Sequence, residues 1–184
     1  MKMSFSRTAM FAAVLSGLSL TGRIAAAENA LAVPDAAVAR DVPGAHELPD
    51  PNRTYKVVFD VGIAADKIDE VNPMLATVAR YVNTLAKYGV PQDHRKIAVV
   101  FHQKGTEIIQ NNGAYKARNG GHDNPNVALI RELKKAGVDF RVCGQAVLGA
   151  KIDPKNIQPE IQLDLWALTT LVDFQLDGYV HVGR

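Results

Sequence analysis

One cysteine among 184 residues excludes an internal disulfide framework. Cys143 is therefore a buried inert thiol, half of an intermolecular bridge, or a reactive group. The sequence also lacks G-x-G-x-x-G and G-x-S-x-G, so it carries neither a dinucleotide fingerprint nor a hydrolase nucleophile elbow. Gly144 to Lys151 (GQAVLGAK) nearly spells a phosphate loop, but its lysine falls one residue late and no Ser or Thr follows. No internal repeat is visible.

Long apolar runs are scarce. The one present, Thr8 to Leu20, is too short to span a bilayer as a helix. Lys2 and Arg7 precede it, and Ala25-Ala26-Ala27 supplies small residues for cleavage before Glu28. Residues 1–27 therefore read as a secretory signal peptide, and Arg23 argues against an uncleaved anchor. The expected location is periplasmic or secreted, with no membrane association after cleavage. Net positive charge is missing too once the leader is discounted. The whole chain has 21 Lys+Arg against 19 Asp+Glu; residues 1–27 hold three of the cations and no acid, leaving 18 against 19. Nucleic-acid binding loses its main driving force.

Residues 28–54 are Ala-rich, contain Pro34, Pro43, Pro49 and Pro51, and show no sustained period. They read as a linker or a surface-hugging arm. From Tyr55 to the end, strands and helices alternate. Lys56 to Val61 and Ile97 to His102 are apolar, β-branched runs of the kind buried on both faces of a sheet. Asn72-Pro73 and Asn124-Pro125 are helix starts, with Asn as cap and Pro at the first helical position. Leu75, Val78, Val82 and Leu85 share one helical face, and Gly89 ends that segment; Ala128, Leu129, Leu133 and Ala136 share another, closed by Gly137. The spacing predicts a short helix over Glu107 to Asn112 and a mobile glycine-containing loop over Asn111 to Asp123. A strand ends at Cys143, a short one covers Ile161 to Leu163, a helix carries Leu165, Leu168 and Val172, and a last strand runs from Tyr179 to Val182. This alternation predicts an α/β three-layer sandwich with a mostly parallel sheet of about five strands.

The chemistry centres on Val138 to Gln145. Val138, Phe140 and Val142 alternate with Asp139 and Arg141, so the strand presents Cys143 at its carboxyl end. In open α/β sheets that end gathers ligands and reacting groups. The thiolate is the nucleophile, and activating it takes positive potential or hydrogen-bond donors. Gly144 and Gln145 follow, and their backbone N–H groups are candidate donors to an anion or a persulfide. His102 ends another strand and is the candidate base, with Lys104 as a candidate cation nearby. Against this stands a plain reading: a small hydrophobe beside the sheet, a strand-end histidine and a solvated lysine. His122 with His102 and Cys143 makes a weak metal reading, since no close ligand spacing supports it. His46, His94 and His181 have no evident partners. Asp60 and Asp164 read as caps or hydrated acids, and the Trp166 and Leu168 face as core or subunit contact.

Val142-Cys143-Gly144-Gln145, Gly149, Ile152-Asp153-Pro154, Leu168-Thr169-Thr170-Leu171 and Gly178-Tyr179, in this order and spacing, resemble the DsrE/DsrF-like proteins. The resemblance covers residues 55–184. It implies a flavodoxin-like (YchN-like) domain without an organic cofactor. It also implies a homo-oligomer, trimer or hexamer, in which a strand-end cysteine at the position of Cys143 carries a persulfide between a donor and an acceptor protein. This chain departs from the cytoplasmic relay members in being exported and in its proline-containing arm. Two readings follow: a sulfur carrier or thiol-redox protein acting through Cys143, or a non-catalytic assembly module with an inert thiol.

Overall fold

The computed structural model describes residues 31–183; the expected leader lies outside them. Five strands form one sheet: β1 (Tyr55–Val61), β2 (Arg95–Phe101), β3 (Asp139–Cys143), β4 (Ile161–Asp164) and β5 (Val180–Val182). The order is β4-β3-β2-β1-β5 and every pairing is parallel. The helices are α1 (Pro73–Lys87), α2 (Asn112–Arg118), α3 (Val127–Lys135), α4 (Gly144–Gly149) and α5 (Ala167–Leu176).

The path of the chain decides which face each helix covers. From β1 to β4 the chain steps across the sheet in one direction, and right-handed crossovers place the connecting helices on one side. The step from β4 to β5 runs back, so α5 lands on the opposite side. The two cores follow this division. Val57, Phe59, Val61, Ile97, Val99, Phe101, Phe140 and Val142 pack with α1 and α3 in the larger one. Val58, Ala98, Val100 and Cys143 pack with Ala167 and Leu171 of α5 in the smaller.

Local signals explain the helix ends. Asn72 caps α1, its Oδ1 accepting from Met74 N at 2.9 Å, with Pro73 in the first position. Gly89 and Gly137 stop α1 and α3 with φ of +81° and +93°, the left-handed values a glycine takes without strain.

Two expectations need correction. The segment after β2 is a 3-10 turn over Gln103–Ile109, earlier than the helix expected at 107–112. The expected mobile loop holds α2, capped by Asn111 Oδ1 accepting from Ala114 N at 3.0 Å. Tyr115, its one buried residue, anchors it by donating to the Ile68 carbonyl at 2.9 Å. With a single apolar anchor and glycines on both sides, this helix has no periodicity to detect.

The arm hugs the domain. Val33 is fully buried, and Asn83 of α1 grips its backbone: Val33 N donates to Asn83 Oδ1 at 2.8 Å, and Asn83 Nδ2 donates to Val33 O at 2.9 Å. Asn83→Ala leaves both backbone groups buried and unpaired. It should cost about 2 kcal/mol or more in urea unfolding and make the 31–54 segment the first site of proteolytic cleavage.

Candidate functional site

Cys143 closes β3, in register with Asp164 of β4. The β2–β3 pairing ends at Phe101 with Val142, so His102 and Cys143 are the next neighbours at the carboxyl edge. Strand alternation puts both on the α5 face, together with Val58, Asp60 and Val100. The strand-end placement expected for the thiol holds, and His102 shares its edge and face.

The surroundings of the sulfur are apolar. Cys143 is 4% exposed, enclosed by Val58, Ala98, Val100, Ala167 and Leu171, with Ala146, Phe174 and Tyr179 at the margin. It occupies the cap position of α4, yet Sγ makes no cap hydrogen bond to the amides of that six-residue helix. The amides of Gly144 and Gln145 are thus not engaged by the unmodified Sγ. Gly144 serves close approach, because a Cβ would come 2.7 Å from the Asp164 carbonyl. Gln145 faces solvent and donates through Nε2 to Leu165 O at 3.3 Å. Lys104 is exposed; its backbone N donates to Gly62 O at 3.2 Å.

His102 turns toward β1. Its backbone N donates to Val61 O at 3.1 Å, and its Nε2 meets Asp60 Oδ1. A carboxylate only accepts, so Nε2 carries the proton and Nδ1 holds the lone pair of the neutral ring. His181 Nε2 stands 3.5 Å from the other oxygen of Asp60. Asp60 thus links histidines from two sides, where a cap or a hydrated acid was expected, and His181 has a partner where none was evident. Glycines make the room. A Cβ on Gly62 would lie 3.0 Å from His102 Cε1, and one on Gly183 would lie 3.1 Å from His181 Nε2. Gln103, directly after His102, holds a left-handed φ of +46°, a strained value for a residue with a side chain.

Asp164 is paired as well. Arg141 reaches it through Nη1 at 3.5 Å, and Thr170 Oγ1 donates to it at 3.0 Å. Arg141 also grips Asp139, and these two carboxylates raise the guanidinium's pKa against the opposing effect of burial. The thiol is thus flanked by two polar groups, His102–Asp60–His181 and Asp139–Arg141–Asp164. His122 lies in the exposed turn after α2. Among the described residues no three His, Cys, Asp or Glu side chains are grouped to hold a metal, so the His102, His122 and Cys143 reading finds no support.

α5 is the cover of the site. Ala167 and Leu171 face the thiol, while Leu168, Val172 and Leu176 point outward and are exposed. Native Cys143 should label with a small alkylating reagent on the order of 100-fold more slowly than in the unfolded chain. Leu171→Ala should recover much of that loss, read by intact mass against time.

No curated protein matches the chain. A solved structure of a protein of unknown function from Methanobacterium thermoautotrophicum is similar, with a TM-score of 0.50 and 17% identity over 71% of this chain and 99% of that one; at that identity the likeness speaks for the fold. The family model of the DsrE/DsrF-like family matches residues 55–182, from the first residue of β1 to the last of β5. With that span matched and the all-parallel sheet in place, the chain belongs to the DsrE/DsrF-like family, a family linked to sulfur relay.

Proposed function

We propose that this chain is an exported, homo-oligomeric sulfur carrier in which Cys143 accepts and passes on a sulfane sulfur. The observation that supports this reading is the placement of the chain's one thiol at the carboxyl end of β3, beside a histidine whose Nε2 is held by Asp60. The chemistry is an exchange. The Cys143 thiolate attacks the outer sulfur of a donor persulfide; an S–S bond forms to Cys143, the donor's S–S bond breaks, and the donor leaves as a thiolate. No net oxidation occurs. His102 is the group at this edge suited to take the thiol proton, its lone pair on Nδ1 following from the Asp60 bond. A donor and an acceptor protein are the partners this exchange needs.

The persulfide adds a sulfur about 2 Å beyond Sγ, within a cluster that leaves Cys143 only 4% exposed. In this reading α5 shifts during loading. Trp166 at its cap makes no side-chain hydrogen bond to the helix, so its first turn is not pinned from that side.

The outer face of α5 supports the oligomer. Leu168, Val172 and Leu176 are all exposed, Leu176 at 81%, and Leu165 and Trp166 just ahead of the helix are exposed as well. A helix apolar on both sides is a helix covered on both sides. Trimer or hexamer is the stoichiometry the family resemblance implies. Leu168→Glu with Leu176→Glu should dissociate the assembly in analytical ultracentrifugation while the far-UV circular dichroism persists.

The second reading, an assembly module with an inert thiol, is favoured by the 4% exposure of Cys143. Mass spectrometry after incubation with polysulfide separates the two. A carrier gains about 32 Da on Cys143 in the folded oligomer, one sulfur atom, reversible by dithiothreitol. A module gains it only after denaturation.

A further inference from the structure

Arg95 opens β2 at the amino edge of the sheet, the end opposite Cys143. Strand alternation turns it to the α1/α3 face, where Ile97 and Val99 follow it into the larger core. It is 8% exposed, and its Nε is fully enclosed without a hydrogen-bond partner. A guanidinium has five N–H donors and stays charged. Among the described residues none of those donors meets a carboxylate or a carbonyl, and burial alone pulls its pKa down. A buried charge without compensation is strongly destabilising, so such an arginine ordinarily has a partner.

The ordinary partner at this place would be a helix end. Both α1 and α3 finish beside Arg95, and basic side chains commonly bond the last carbonyls of a helix. Here the glycine-closed ends use part of that set: Val90 N and Gly89 N donate to Leu85 O and Ala86 O at 3.0 and 2.9 Å, and Val138 N and Gly137 N donate to Leu133 O and Lys134 O, both at 3.0 Å. Gln92 Nε2 donates to Lys135 O at 3.3 Å, and among the described residues no helix-end carbonyl accepts from Arg95. Arg95 lines a cavity of about 410 Å³ with Ala32, Val90, Gln92, Lys135 and Ala136. That volume is in the range of small-ligand sites; Arg95 is the buried cation that lines it, while Lys135, largely exposed, pairs with Glu132 at 2.6 Å and the Gln92 amide is engaged by Lys135 O.

We propose that the Arg95 cavity is a binding site for a small oxyanion, a carboxylate or phosphate group received on the guanidinium fork. Two sources share this chemistry. One is a free small molecule. The other is the chain's own Glu28, which precedes Ala32 by four residues, a reach of about 14 Å in extended chain. Arginine rather than lysine suits the role because its planar fork matches the two oxygens of the anion.

The test uses the full chain labelled with ¹⁵N-arginine, following the Arg95 Nε–H resonance while inorganic phosphate or acetate is titrated against sodium chloride at equal ionic strength. A saturable shift of that resonance, with Tm climbing as the logarithm of anion concentration, identifies a free oxyanion as the occupant. A silent wild type and a saturable Glu28→Gln variant identify the chain's own carboxylate. In whichever background responds, adding Arg95→Lys should weaken the affinity at least about tenfold, since the charge remains and the fork is lost. An Arg95 resonance that follows ionic strength alone in both the wild type and Glu28→Gln overturns the proposal, and that readout needs no variant at Arg95.

Discussion

The handedness of the crossovers is the constraint on which the rest of this structure depends. Because only the β4-to-β5 connection runs back across the sheet, only α5 reaches the second face. One helix cannot cover five strands. The middle of that face is therefore small and apolar, Val58, Ala98, Val100 and Cys143, where α5 sits close. Its flanks are polar, with Asp60, His102 and His181 on one side and Asp139, Arg141 and Asp164 on the other. The thiol occupies the strip between these flanks, and the same helix that shields it has an exposed apolar outer side.

This arrangement also explains how much of the molecule was legible in the sequence. Two central strands announced themselves because a parallel strand buried on both faces is a largely continuous apolar run, as in Val57 to Val61 and Ile97 to Phe101, and the third by the alternation of Val138, Phe140 and Val142 with Asp139 and Arg141. The capped helices were legible because Asn72-Pro73 and Gly89 are local signals. α2 was not, since Tyr115 alone holds it and periodicity needs several anchors. The location of Cys143 at a strand end could be read; its burial could not, because the residues that enclose it come from β1, β2 and α5, all more than twenty positions away.

The pairing of His102 was hidden for a similar reason. Asp60 lies 42 residues before it and His181 a further 79 beyond. Nothing in either local sequence marks the contact, although the position of Asp60 at the end of one strand and of His102 at the end of the next was a usable clue. In a parallel pair, strand ends that share a face bring their side chains together at one edge. Gly62, Gly183 and the left-handed Gln103 are the local traces of that convergence. A small residue and a strained residue beside a histidine mean that something is packed against it.

The burial of Cys143 puts a free-energy cost on reaching its sulfur. Lifting the first turns of α5 exposes chiefly Ala167, Leu171 and the small residues beneath. On area grounds that opening costs about 2–4 kcal/mol, one or two side chains of burial. A closed state favoured by about 3 kcal/mol still leaves the thiol open in a little under about 1% of molecules, and a bound partner need supply only that difference. The apolar outer face of α5 is where such a partner would act, because a contact made only in the shifted position lowers the cost of opening. A contact made only in the closed position raises it. The lone thiol and the exposed leucines are thus one problem in the physics of this fold: a contact made on Leu168 and Leu176 would also set how often Cys143 is open to solvent.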